Sequence, residues 1–186
     1  MLEVGNFQGP NNLTESKTHF GGWCIVSAPL ILGMDVTDSA NLDAVWPIIS
    51  NKVSTAARER SPPLRRVLMP ALRCVLQEAI AVNQAWAGHP GRLVMEGGPN
   101  DPAPAGPKAY QVWAKAMPEG GQAVFVVNQG SKVLTDIKVE LSALGLGPSA
   151  KARDIWGLKD LGTVSGSWTI PSLAVHDSEF VRFSKA

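Results

Sequence analysis

Three rhythms of apolar and polar positions divide the chain. Between Thr14 and Asp35 the segment TESKTHFGGWCIVSAPLILGMD places Phe20, Trp23, Cys24 and Ser27 at i, i+3, i+4 and i+7, the repeat of one helix face. Thr14 is the predicted cap. Pro29 is the predicted stop, because proline has no amide hydrogen and clashes with the preceding turn. Leu30, Ile31 and Leu32 then make an uninterrupted apolar run bounded by Gly33, which predicts a strand buried on both faces. Asp38 or Ser39 caps a second helix, in which Leu42, Val45, Trp46 and Ile49 share a face and Pro47 falls inside. Helix, buried strand, helix is the order of a parallel α/β sheet.

From near Ala79 the period shortens. GRLVME, AYQVWAKAM, GQAVFVVNQ, TDIKVELSAL, KARDIW, SGSWTI and SEFVRFS read as short strands, separated by turn signals such as Pro118-Glu119-Gly120-Gly121 and Gly145-Leu146-Gly147-Pro148. Ile137, Val139 and Leu141 point one way and Lys138 and Glu140 the other, so the strands belong to an antiparallel sandwich or barrel. The stretch from Gly97 to Lys108 is a proline-rich surface loop. The change of period alone sets a domain boundary near residue 90, giving units of 1–89 and 90–186.

Between these rhythms lies an anomaly. Val53 to Gln77 holds five of the eight arginines against the single Glu59, a local +4 in a chain of net +1, so the remaining surface is near −3. That balance excludes nucleic-acid binding by the whole surface. No apolar run approaches a membrane span, and MLEVGNFQGPNN has neither a basic start nor a long apolar segment, so no membrane partner and no targeting signal is expected in this sequence. Two cysteines, Cys24 and Cys74, leave a single bridge or two free thiols open, with free thiols expected. Asn12-Leu13-Thr14 fits the N-glycosylation pattern, which matters only if the parent protein is secreted.

The candidate chemistry is sparse. His19, His89 and His176 lie far apart, none with a second ligand at metal spacing, so neither a metal nor a cofactor is expected. His176-Asp177 reads as an acid/base pair or as a polar loop contact, the latter favoured. Asp35 and Asp38 follow the predicted parallel strand, where α/β proteins place their chemistry, but ending the strand and capping the helix accounts for both. Trp113, Trp156 and Trp168 fall in predicted strands. There an indole packs in a core or stacks on a sugar, and core packing is expected.

The order of the pieces is more specific than any one of them. MLEVGN, a helix running into WCIVSAPLILGMDV, then AIAVNQ, QVW, VFVVN, ARDIW and a terminal VHD together resemble the C-terminal part of a family 27 glycoside hydrolase, the α-galactosidase and α-N-acetylgalactosaminidase group. The resemblance covers nearly everything outside residues 53–77. It implies α/β plus all-β architecture: the end of a (β/α)8 TIM barrel followed by a C-terminal antiparallel β-sandwich. Residues 1 to about 52 would carry the end of the seventh barrel strand, its helix, the eighth strand at Leu30 to Leu32 and most of the last helix.

What the resemblance implies about activity is retaining hydrolysis of terminal α-linked galactose by two aspartates. Those aspartates sit on earlier barrel strands with no counterpart here. The catalytic set within this chain is therefore empty, and the chain alone is expected to be inactive. Met1 corresponds to a residue lining the sugar pocket. Where the family has Asn-Gln-Asp this chain has Asn83, Gln84 and Ala85. The parent's partner would be an α-galactoside substrate, with room for a homodimer and a secreted or lysosome/vacuole-like location. Residues 53–77 read as an insertion, since Ser50-Asn51-Lys52 should run directly into Glu78, and 25 residues fit an in-frame retained intron. Competing readings are a non-catalytic carbohydrate-binding or interaction module built on the sandwich, and a basic-segment interaction protein.

Overall fold

The computed structural model describes residues 1–9, 12–49, 78–98 and 108–186. Two helices come first, α1 (Asn12–Ile25) and α2 (Ser39–Ile49), followed by helical residues 78–84, here α3. Eight strands follow: β1 (Arg92–Gly97), β2 (Tyr110–Ala116), β3 (Gln122–Asn128), β4 (Leu134–Glu140), β5 (Ser149–Asp154), β6 (Lys159–Ser165), β7 (Ser167–Leu173) and β8 (Ser178–Lys185). They form an antiparallel six-stranded sheet in the order β1-β2-β3-β8-β5-β6 and a two-stranded sheet, β4-β7. The basic run, Cys74 and the prolines of the 99–107 loop lie outside the described residues.

The two sheets enclose one core. Val112, Val124, Val126, Val181 and Phe183 face Ile137, Val139, Leu141, Ile170 and Leu173, while Lys138 and Glu140 stay outside as a 2.8 Å ion pair. This is the predicted alternation, set by the two-residue period of a strand. The other face of the six-stranded sheet is covered as well. Ala123, Phe125 and Phe180 meet Phe20, Cys24 and Ile25 of α1 and Ala79, Ile80 and Val82 of α3 in a second core. Because both its faces are buried, β3 is apolar almost without interruption. Residues on either side of position 90 share that second core.

Several expectations change on contact with the fold. Helix α1 starts at Asn12, before Thr14, and Asn12 Oδ1 accepts from the Leu13 amide at 2.7 Å. It ends at Ile25, ahead of Pro29, in a Schellman-type closure: Ala28 N donates to Trp23 O (3.0 Å) and Ser27 N to Cys24 O (3.2 Å), with Ser27 at φ 55°. Leu30 to Leu32 is not a strand buried on both faces. It makes one parallel bridge, Leu2 to Leu32, and Ile31 is 57% exposed, because no further strand lies beside it among the described residues. Strand β6 was not expected. KDLGTVS is almost wholly exposed and pairs only with β5, and a sheet edge needs no apolar face. Trp156 lies in the turn after β5 rather than in a strand.

Candidate functional site

The N-terminal segment and the 31–33 segment form a narrow parallel seam. Leu2 N donates to Ile31 O (2.6 Å) and Gly33 N to Leu2 O (2.8 Å). Leu2 and Val4 point into the second core, which leaves Met1 at the end of the seam, 68% exposed; Ile31 and Val36 are exposed as well. On the opposite edge the amides of residues 3 and 5 turn to α1. Glu3 N donates to His19 Nε2 (3.1 Å) and Gly5 N to Ser16 Oγ (3.3 Å). Asn6 Nδ2 bonds Glu3 Oε2 at 2.8 Å, and Asn41 Nδ2 bonds Gly5 O at 2.9 Å. Asp38 has the capping role expected of it, whereas Asp35, expected to end a strand, closes a local turn. Asp35 Oδ1 accepts from the Thr37 amide and hydroxyl, which holds its carboxyl below the usual range, and Asp38 Oδ1 accepts from Asn41 N as the cap of α2.

A second polar cluster, which the sequence did not reveal, joins the helices to the sandwich. Lys115 of β2 is fully buried, and its Nζ donates to Ser27 Oγ (2.6 Å), Val82 O and Asn83 O (3.3 Å). Burial pushes its pKa down, partly opposed by Cys24. Two of the three acceptors are C-terminal carbonyls of α3, the negative end of the helix dipole. Asn83 Nδ2 in turn donates to Trp23 O (3.2 Å) and Ala28 O (2.9 Å), closing the end of α1. The only signal in the sequence is a lysine inside the apolar strand AYQVWAKAM. Cys24 is a buried free thiol, its pKa pushed up to about 12 by burial.

The remaining candidates resolve into structural contacts. His176 Nδ1 lies 2.6 Å from Glu15 Oε1, Asp177 pairs with Lys17 at 2.6 Å, and Thr18 Oγ1 donates to His176 O, so this pair fastens the β7–β8 turn to α1. His89 Nδ1 sits 2.7 Å from Pro90 O. Trp168 is buried edge-on to Phe183, and Trp113 Nε1 donates to Gln111 Oε1. Trp156 packs on Phe180 with Lys17 Nζ 5.9 Å from its ring. A groove of about 690 Å³ opens beside β5, β6 and β8. Its carboxylates, Glu78 and Asp160, are both committed to Arg153. Among the described residues no cluster of His, Cys, Asp and Glu fits a metal, and no helix is long and apolar enough to cross a membrane.

Known proteins are similar to this chain in sequence and fold. Residues 107–183 match the family described as "Alpha galactosidase C-terminal beta sandwich domain". An α-galactosidase of Cyamopsis tetragonoloba is 30% identical over 168 residues, covering 89% of this chain and 31% of its own length. One from Coffea arabica is 29% identical over 181 residues, covering 96% of this chain and 37% of its own. The solved α-galactosidase I of Mortierella vinacea superposes with a TM-score of 0.70 at 23% identity, covering all of this chain and 38% of that one. At that identity the superposition speaks for fold alone. The chain thus spans about a third of the length of the relatives it matches.

Proposed function

From a chain that corresponds to the C-terminal part of a family 27 α-galactosidase, we infer a parent enzyme that removes terminal α-linked galactose with retention of configuration. In this reading residues 1–89 close a (β/α)8 barrel, interrupted by the 53–77 insertion, and residues 90–186 are the sandwich that follows it. The observation that carries it is the Leu2 to Leu32 bridge: two segments paired in parallel across an intervening helix, the repeating unit of such a barrel. The exposed side chains of Met1, Ile31 and Val36 around the seam suit a surface that further barrel strands would cover.

Met1, at the end of the seam, is the one residue of this chain assigned to the sugar pocket, on its correspondence to a pocket-lining residue of the family. Exposed Asn12 is the glycosylation acceptor if the parent is secreted or delivered to a lysosome/vacuole-like compartment. No catalytic carboxylate is assigned within this chain, and Asp35 and Asp38 are already occupied. Purified chain incubated with an aryl α-galactoside should therefore give no turnover above a blank. Fused behind the upstream two-thirds of the Cyamopsis relative, it should support turnover. A fusion that melts cooperatively yet hydrolyses nothing would sink the enzymatic reading, and turnover by the chain alone would sink its dependence on upstream strands.

A further inference from the structure

Segment 2–5 carries backbone donors on both edges, and the two edges are satisfied differently. One pairs with the backbone at Ile31 and Gly33, whereas the other is capped by two side chains one helical turn apart on α1, Ser16 and His19. A serine hydroxyl accepts a hydrogen bond at any ordinary pH. An imidazole nitrogen accepts only when it carries no proton. The Glu3 amide has its hydrogen directed at Nε2, so the bond at 3.1 Å requires that nitrogen to be bare. The ring is also fixed in orientation, edge-on to Phe7 (5.6 Å, 66°) and tilted on Trp23 (5.7 Å, 43°).

We propose that His19 is an acid-sensitive clasp: its neutral imidazole holds segment 2–5 against α1 through the Glu3 amide, and protonation opens that edge. A protonated Nε2 would present N–H to N–H, replacing an attraction with a repulsion. Segment 2–5 then keeps its bonds to Ile31 and Gly33 but loses half of its hold on α1. The charged groups acting on the ring are the Glu3 carboxylate, which favours protonation, and the Met1 amino group, which opposes it. Partial burial is the largest influence, acts in the same direction as the amino group, and outweighs Glu3, so the pKa is lowered. With the folded value depressed, this contact's stabilisation is fully present above the ordinary imidazole pKa of about 6.5 and is lost as pH falls through the folded value. The clasp goes beyond the enzymatic reading and does not depend on it. If Met1 does line a sugar pocket, acid would loosen the strand that delivers it.

Amide hydrogen exchange on the full chain, followed by NMR from about pH 8 to about pH 4 and corrected for intrinsic rates, tests this. Glu3 amide protection should fall by up to about tenfold per pH unit as pH drops from about 6.5 towards the folded His19 value and level off below it, while Val124 and Val139 in the sandwich hold theirs. His19→Gln, whose side-chain oxygen accepts at every pH, should keep the Glu3 amide protected throughout. His19→Phe, which keeps a ring but no acceptor, should leave it unprotected throughout. The clasp is refuted if wild-type Glu3 protection ignores pH. It is equally refuted if His19→Gln shows the same pH dependence, since another group, such as the Glu3 carboxylate, would then be titrating. Should His19→Phe fail to fold, wild type and His19→Gln still decide the matter.

Discussion

Replacing Gly21 with alanine should destabilise the protein, whereas the same change at Gly22 should stabilise it. Both glycines lie inside α1, and neither has a positive φ. In an exposed helix either substitution would gain about 1 kcal/mol from helix propensity. Gly22 has open space where a Cβ would go, so it should realise that gain. Gly21 is pressed against the sheet. A Cβ there would lie 2.8 Å from Trp156 Cζ2 and closer still to Phe125 Cε2. Neither ring has room to swing: Phe125 is 2% exposed and edge-on to Phe180 at 5.5 Å, and Trp156 packs on the same Phe180 at 5.4 Å. Overpacking of a rigid core costs about 1 to 3 kcal/mol, and a contact this close belongs at the upper end. The net loss is about 1 to 2 kcal/mol once the propensity gain is subtracted. With a slope of about 2 kcal/mol per molar urea, Gly21→Ala should lower the unfolding midpoint by about 0.5 to 1 M and Gly22→Ala should raise it by about 0.5 M. Far-UV circular dichroism against urea measures both. If the two variants shift together in the stabilising direction, α1 does not sit on Phe125 and Trp156, and the shared core described above is wrong.

Asn83→Ala should lower stability by about 1 to 3 kcal/mol, since Trp23 O and Ala28 O lose their donor. Asn83→Asp should be worse in the same urea titration, because a carboxylate brings only acceptors to two carbonyls. Glu179→Gln should stabilise the protein near neutral pH. Burial, reinforced by Asp154 and Asp177 and opposed by Lys17, raises the Glu179 pKa, so wild-type stability falls as pH rises from the ordinary glutamate value through the folded one. The variant should lack that slope in thermal melts across the same range. Arg153→Lys should cost about 0.5 to 1 kcal/mol at low salt and less at high salt, because an ammonium cannot reproduce the forked contact with Glu78 together with the 3.0 Å bond to Asp160. An equal loss at both ionic strengths would show that packing, not charge, is what Arg153 supplies.

Much of the sandwich was legible because a strand that buries one face must alternate. Ile137, Val139 and Leu141 declared their orientation before any contact was known. The segment GQAVFVVNQ was legible as a strand, but nothing in the sequence said that α1 and α3 would cover its second face. Strand β6 was illegible for the opposite reason: an edge held by backbone bonds to β5 imposes no pattern on its side chains. At Leu30 to Leu32 the uninterrupted apolar run led to the expectation of a strand buried on both faces. Among the described residues it has a partner on one side only, with Ile31 and Leu32 exposed and Leu30 packed against the second core.

The candidate site divides in the same way. Local chemistry placed Asp38 at a helix cap and left the turn role of Asp35 open, since each bonds an amide two or three residues away. The contacts that tie the molecule together link positions far apart in the chain: Glu3 with His19, Ser27 with Asn83, Asn83 with Lys115. Spacing along a sequence reports period, and period identifies elements and their order, which was enough to recognise the family. Which polar atom meets which, and so why a lysine is tolerated in a core and a histidine must stay neutral, depends on how those elements stack. That was decided only when burial removed water and orphaned groups such as Lys115 Nζ and the Glu3 amide had to find partners in the fold.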